Sequence, residues 1–96
     1  MIEADGKEFA DIWDALEPNA VSAANMRMRA DLMTATRKEV ESWGLTQVEA
    51  AKRLGISQPR LNDLMRGRVS RFSLDALVKL IVEAGLTIDM KIKLAA

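Results

Sequence analysis

The sequence predicts a mainly helical domain that ends in a single β-strand. Three observations lead to this fold class. Apolar residues recur at helical spacing in several stretches, a glycine or proline separates one stretch from the next, and the period changes to two after Gly85. A chain of 96 residues, 49% of them apolar, can bury one modest core, so we expect one domain over 1–96. Within it we expect an acidic head (1–19), a helical bundle (20–85) and a C-terminal strand (86–96).

Two helices are predicted before Gly44. The first is a short helix, whose apolar face is predicted by the helical spacing of Phe9, Ile12, Trp13 and Leu16. Pro18 and Asn19 would end that helix. A long helix is expected over about 20–43, because apolar residues recur along it at helical intervals. The residues expected on its buried side are Ala24, Met28, Leu32, Ala35 and Val40.

Three shorter helices are predicted next, each with a capping side chain at its start and a glycine after its end. The caps are Thr46, Ser57 and Ser73, and the glycines are Gly55, Gly67 and Gly85. The helices are expected over 46–54, 57–65 and 73–84. Glu49 has the spacing of a capping box with Thr46. Pro59 falls in a first turn, where its missing N–H costs little.

The C-terminal stretch alternates as a half-buried strand does. Its apolar residues are Leu86, Ile88, Met90, Ile92 and Leu94, and the residues between them are Thr87, Asp89, Lys91 and Lys93. The sequence contains no second strand, and a single strand needs a partner. The simplest partner is the same strand of a second copy, paired through Leu86, Ile88, Met90 and Ile92. The alternative is a strand that folds back on its own domain.

Composition excludes several classes of protein. The chain has no cysteine and no histidine, so it lacks a disulfide framework, a thiol nucleophile and the commonest general base and metal ligand. We therefore expect no enzyme activity, no metal and no cofactor. No apolar run approaches the roughly 18 residues of a membrane span. The acidic start is unlike a signal peptide, so a cytoplasmic location is expected.

Charge is distributed unevenly although the formal net charge is zero. Residues 1–19 hold six acidic residues and one lysine, a net charge of −5. Residues 52–71 hold six basic residues and one aspartate, a net charge of +5. Such a basic stretch is typical of a phosphate-binding face. The alternative is that both stretches are ordinary solvated surface.

Residues 46–67 predict a helix-turn-helix, because two short helices are joined by a brief turn that begins with glycine. Ala51 is small where the helices cross, and Leu54, Ile56, Leu61 and Leu64 are expected to seal the corner. The outward side of the second helix then carries amide and guanidinium groups, which pair with adenine and guanine edges in the major groove.

The stretch TQVEAAKRLGISQPRLNDLMRGR resembles the helix-turn-helix of the XRE (Cro/C1-type) family. The matching positions are Gln47, Ala51, Gly55, Leu61 and Leu64. The resemblance implies a lambda-repressor-like bundle of about five helices and a homodimeric repressor on a palindromic DNA operator. The wider layout, with FADIWDALEP, MRMRADLM and FSLDALVKLIVEAG around this stretch, is similar to HigA-like antitoxins. Such an antitoxin represses its own toxin–antitoxin operon and neutralises a RelE/HigB-like toxin.

The resemblance also implies roles for particular residues. The expected base-reading residues are Gln58, Pro59, Arg60, Asn62 and Asp63. The expected phosphate-binding residues are Thr46, Gln47, Arg66, Arg68 and Arg71. Phe9 and Trp13 of the acidic head are expected to bind the toxin. Pro59 and Arg60 replace the small or amide residues of many family members, so the target sequence cannot be transferred from a relative.

Other interpretations of these residues are open. The arginines and the polar residues of the second helix are also compatible with a solvated surface, and Phe9 and Trp13 with packing on the domain's own core. Two other functions fit the same motif. One is a free-standing repressor with no toxin partner. The other is a protein-interaction module that has lost DNA binding.

Overall fold

A computed structural model describes residues 18–95 and contains four α-helices and one short 3-10 helix in that range. The elements are α1 (Pro18–Trp43), α2 (Gln47–Leu54), α3 (Gln58–Met65), the 3-10 helix (Val69–Arg71) and α4 (Leu74–Glu83). The short helix predicted around Phe9 and Trp13 lies outside the described residues. Although α1 is 26 residues long, none of the helices within 18–95 is apolar enough to cross a membrane.

The buried side of α1 differs from the prediction, whereas its bounds lie within two residues of those expected. Pro18 is its first residue; proline is tolerated in a first turn because that N–H has no helical partner. The prediction of Ala24, Met28 and Ala35 on the buried side was wrong, since all three are exposed. The fully buried residues of α1 are Met33, Thr36 and Val40. The apolar pattern missed Thr36, whose hydroxyl is satisfied by donating to the Leu32 carbonyl at 2.8 Å.

The three shorter helices begin at their predicted caps. Thr46 Oγ1 accepts from the Glu49 N–H at 3.2 Å, and Glu49 Oε1 accepts from the Thr46 N–H at 3.1 Å, which completes the capping box. Ser57 and Ser73 cap α3 and α4 in the same way, with hydroxyls that accept from N–H groups three residues on. The predicted bounds of these helices are therefore confirmed to within one or two residues.

The core lies where α1, α3 and α4 meet the corner between α2 and α3. Its most completely buried side chains are Leu54, Leu61, Leu64, Phe72 and Leu77. The predicted seal of the corner is confirmed for the leucines and for Ala51, while Ile56 is only partly buried. Burial of each large apolar side chain stabilises the fold by about 1.5–3 kcal/mol. The core therefore fixes α3 against the other helices through the face that is opposite to Gln58 and Pro59.

Residues 86–95, called the tail below, form no regular element in this single copy. The tail begins against the core, where the Leu86 N–H donates to the Ile81 carbonyl at 3.0 Å. Further along, Ile88, Met90 and Ile92 border an open groove beside α1 and α4. The predicted strand is therefore not present within one copy, which is consistent with its need for a partner. Its pairing stays a prediction.

Candidate nucleic-acid interface

The turn between α2 and α3 is fixed by backbone hydrogen bonds at the end of α2 and by a side-chain cap at the start of α3. Gly55 has φ 72°, a left-handed conformation that strains any side chain. Its N–H donates to the Lys52 carbonyl at 3.1 Å, and the Ile56 N–H donates to the Ala51 carbonyl at 3.0 Å. Ser57 then caps α3. Three residues thus redirect the chain between two helices, and α3 is placed at a defined angle to α2.

The outward side of α3 carries three of the predicted base-reading residues. Gln58 and Pro59 in the first turn are exposed, and Asn62 one turn later is half-exposed. On the opposite side, Leu61 and Leu64 are almost completely buried. The helix therefore presents amide groups to solvent from a backbone that its own leucines hold in place.

Asp63 joins two of the predicted phosphate-binding arginines. Its Oδ1 accepts from Arg68 Nη1 at 3.1 Å and from Arg71 Nη1 at 3.2 Å. The Asp63 side chain is 16% exposed, whereas the side chains of Arg68 and Arg71 are 38% and 58% exposed. The carboxylate thus lies beneath two guanidinium groups that face solvent. Charge-assisted bonds of this kind hold both groups at fixed positions while leaving donors free.

Arg60 is also bound within the protein. Its Nη1 donates to the Arg71 carbonyl at 2.7 Å, and its guanidinium lies 3.9 Å from the centre of the Phe72 ring. The planar cation therefore stacks on a buried aromatic face and holds the backbone of the loop that follows α3. Together, Arg60, Asp63, Arg68 and Arg71 form what we call the arginine cluster.

Sequence reasoning missed two residues that support this cluster. Arg29 of α1 donates through Nη1 to the carbonyls of Val69 and Phe72 at 3.3 and 3.2 Å. Its Nε donates to Asn25 Oδ1 at 2.8 Å. Phe72 is buried beneath Arg60. No local pattern marks Arg29, because its partners are 40 and 43 residues away; Phe72 was detectable only as an isolated aromatic residue before a helix cap.

The remaining predicted phosphate-binding residues are not hydrogen-bonded to the cluster. The Thr46 hydroxyl is used by its own capping box, and Gln47 is exposed at the start of α2. Within residues 18–95, neither residue forms a hydrogen bond to the cluster, and the exposed Arg66 forms no side-chain hydrogen bond. The same range contains no group of three acidic side chains that could hold a metal ion. Phe9 and Trp13 lie outside the described range.

The chemistry available at this face is recognition of anions and base edges. The arginine cluster has three guanidinium groups and one carboxylate, so it is net positive, and the adjacent Arg66 adds another cation. Guanidinium groups suit phosphate oxygens because their planar N–H donors match them in pairs. The amides of Gln58 and Asn62 offer a donor and an acceptor each. Cationic donors and neutral amide groups thus occupy neighbouring parts of this face.

Comparison with known proteins assigns most of this chain to a family. A family model described as a helix-turn-helix domain matches residues 16–93. The matched range contains all four α-helices and most of the tail. No curated protein matches the chain.

Proposed function

The chain belongs to the helix-turn-helix domain family, and from that membership we propose that it is a sequence-specific DNA-binding transcriptional regulator. The observation that carries this proposal is the arrangement of α3. Its amides face outward beside a net-positive cluster of arginines, and its leucines anchor the opposite side in the core. A recognition helix needs both features, because base edges are read only by side chains held in register on the phosphate backbone.

The proposed roles follow from which side chains keep polar groups exposed to solvent and which contact mainly other parts of the protein. Gln58, Pro59 and Asn62 read base edges, since they face solvent on α3. The proposed phosphate contacts are Thr46, Gln47, Arg66, Arg68 and Arg71. Arg60 and Asp63, both expected from the sequence to read bases, make internal contacts. We assign them the task of holding the arginines that bind phosphate.

The test is fluorescence anisotropy across a salt series, on the duplex upstream of the protein's own gene and on a scrambled duplex. The wild-type protein is expected to prefer the upstream duplex, with an affinity that falls steeply as salt rises, because phosphate contacts release counterions. Asn62→Ala should weaken binding to the upstream duplex only. Arg68→Ala should weaken binding to both duplexes and reduce the salt slope by about one. Equal, salt-independent binding to both duplexes would reject the function.

A finer proposal is that this regulator is the antitoxin of a toxin–antitoxin pair. It is supported by the XRE-type motif and by the net charge of −5 over residues 1–19, which suits a basic partner. The test is co-purification with a small basic protein encoded beside the gene. Removing residues 1–19 should abolish capture and spare DNA binding, whereas removing residues 86–96 should spare capture. If the wild-type chain captures no such protein, the free-standing repressor is favoured.

We also propose that the regulator is a homodimer joined through the tail. The support is the exposure of its alternating apolar residues, because Met90, Ile92 and Leu94 are 68%, 86% and 94% exposed. Apolar side chains this exposed in sequence indicate an interface. Deleting residues 86–96 should yield a monomer in sizing with light scattering. A dimer that persists after this deletion would place the interface elsewhere.

A further inference from the structure

We propose that the tail pairs with the tail of a second copy as an antiparallel ribbon centred on Met90. The inference rests on the proposed homodimer and specifies its direction and register. In such a ribbon, Met90 lies opposite the partner's Met90, Ile88 lies opposite the partner's Ile92, and Asp89 lies opposite the partner's Lys91.

The backbone N–H and C=O groups of the tail are available for pairing with a second strand. Within residues 18–95, no hydrogen bond involves the backbone of residues 87–95. Its side chains alternate between apolar and polar from Leu86 to Leu94, which is the pattern of a strand with one covered face. A second tail would satisfy the free N–H and C=O groups and bring apolar residues into cross-strand pairs.

Charge selects the register. A two-residue period requires that apolar residues face apolar residues, so the ribbon can shift only in steps that keep both faces. Centring it on Asp89 places two carboxylates opposite each other, and centring it on Lys91 does the same for two ammonium groups. Centring it on Met90 places Asp89 opposite the partner's Lys91 twice, by symmetry, with no like charges opposite. Parallel pairing in register places every charge opposite the same charge of the partner.

The ribbon also has an apolar surface to cover. A groove of about 520 Å³ is bordered by Met28 and Leu32 of α1, by Leu74 and Val78 of α4, and by the tail. Met28 and Val78 are 44% and 38% exposed. A second tail beside the first widens the apolar strip that borders this groove. We therefore assign a second copy of this chain as the partner at this groove, because the charges of its tail complement those of the first tail.

The first test reverses the charges of the full-length protein. Asp89→Lys alone, or Lys91→Asp alone, places like charges opposite each other at two positions of the ribbon. We expect each to raise the dimer dissociation constant about tenfold in sedimentation equilibrium, because two cross-strand pairs change from attraction to repulsion. The double variant Asp89→Lys/Lys91→Asp should restore the wild-type value to within about threefold. Glu83→Lys, on the exposed end of α4, is the control and should leave the constant unchanged.

The second test uses the absence of cysteine from the chain. Met90→Cys should form a covalent dimer on mild oxidation, because directly opposite Cα atoms lie about 4.5–5.5 Å apart, within disulfide reach. Ile88→Cys alone should not, because the two copies of position 88 would be separated by four residues, about 13 Å. Ile88→Cys mixed with Ile92→Cys should cross-link.

Clear results would overturn the register. Failure of the double variant to recover, or cross-linking of Ile88→Cys alone, would reject pairing about Met90. A wild-type protein that stays monomeric at every concentration would reject the ribbon itself. Salt-dependent preference for the upstream duplex in the same samples reports separately on DNA binding. The dimer measurements can therefore reject the ribbon without affecting the proposed DNA binding, and the DNA titrations can reject DNA binding without affecting the ribbon.

Discussion

Asp63 is the residue that gives the basic face its geometry. A carboxylate beside phosphate is unfavourable in isolation, yet here it is 16% exposed and covered by Arg68 and Arg71. In the proposed complex this repulsion would be offset, because the same carboxylate restrains two flexible cations that otherwise lose side-chain entropy on binding DNA. The proposal therefore gives Asp63 an effect on DNA through the arginines and no base contact of its own.

Asp63→Asn tests that role. The amide keeps the shape of the side chain but removes the charge that holds both guanidinium groups. We expect the ratio of affinities for the upstream and scrambled duplexes to fall about fivefold, which corresponds to the roughly 1 kcal/mol of a partly exposed ion pair. Absolute affinity for scrambled DNA should rise at low salt, because a negative charge has left the surface. Glu83→Gln changes net charge equally on α4 and should preserve the ratio; an equal fall there would reject the role.

Arg60 is expected to affect stability more than recognition. Arg60→Lys keeps the charge but loses the planar stack on Phe72 and the fixed donor to the Arg71 carbonyl. The free energy of unfolding in urea should fall by about 1 kcal/mol, the typical size of such a cation–π contact. Arg66→Lys is the matched control, since the exposed Arg66 side chain forms no hydrogen bond within the described residues. If the control costs as much, the stacking has no special contribution.

At the scale of elements, the features that the sequence predicted are those with local causes. Thr46, Ser57 and Ser73 each accept from an N–H only three residues away, so a short stretch of sequence is enough to predict the start of each helix. Gly55 marks the end of α2 for an equally local reason, its left-handed backbone. Helix bounds and the helix-turn-helix itself could therefore be derived without a structure.

Contacts between distant elements could not be derived in this way. Arg29 binds carbonyls 40 and 43 residues along the chain, and nothing near it in sequence marks that partnership. Only part of the buried side of α1 was assigned correctly: Val40 is buried as expected, but an apolar pattern does not register Thr36, which satisfies its own hydroxyl. Residue type marked Arg60 and Asp63 as candidates for the site, but only the fold shows their internal partners. Asp63 binds the side chains of Arg68 and Arg71, and Arg60 binds the Arg71 carbonyl.

The turn between α2 and α3 yields a prediction at this scale. Gly55→Ala should lower the free energy of unfolding by about 1–2 kcal/mol, because alanine is strained at φ 72° even though no atom lies within 4 Å of its added Cβ. Gly55→Asn should cost less, since asparagine tolerates the left-handed conformation better. Urea unfolding of the three proteins gives the comparison. A smaller cost for alanine than for asparagine would show that strain is not the controlling factor.

At the scale of the whole molecule, the net charge is zero, but the basic residues and the alternating apolar residues lie in different parts of the chain. The basic residues are concentrated in 52–71, which includes the exposed start of α3 and the arginine cluster. The alternating apolar residues are concentrated in the tail, after the last helix. The proposed DNA contacts and the proposed pairing between copies therefore fall on separate parts of one chain. In the proposed dimer this separation would let two α3 helices face one duplex, with the tails setting the distance between them.

That geometry makes binding depend on the spacing of half-sites. Two recognition helices of a dimer suit half-sites one helical turn apart, about 34 Å. Inserting five base pairs at the centre of the operator turns one half-site to the opposite side of the duplex. Wild-type affinity should then fall at least to that for a duplex with one half-site, whereas replacing five central base pairs without insertion should change it less.

The chain lacking residues 86–96 should bind the original and inserted duplexes equally, because its recognition helices are no longer linked. Anisotropy titrations give all four comparisons; equal wild-type affinity for the original and inserted duplexes would mean that each copy binds its half-site alone.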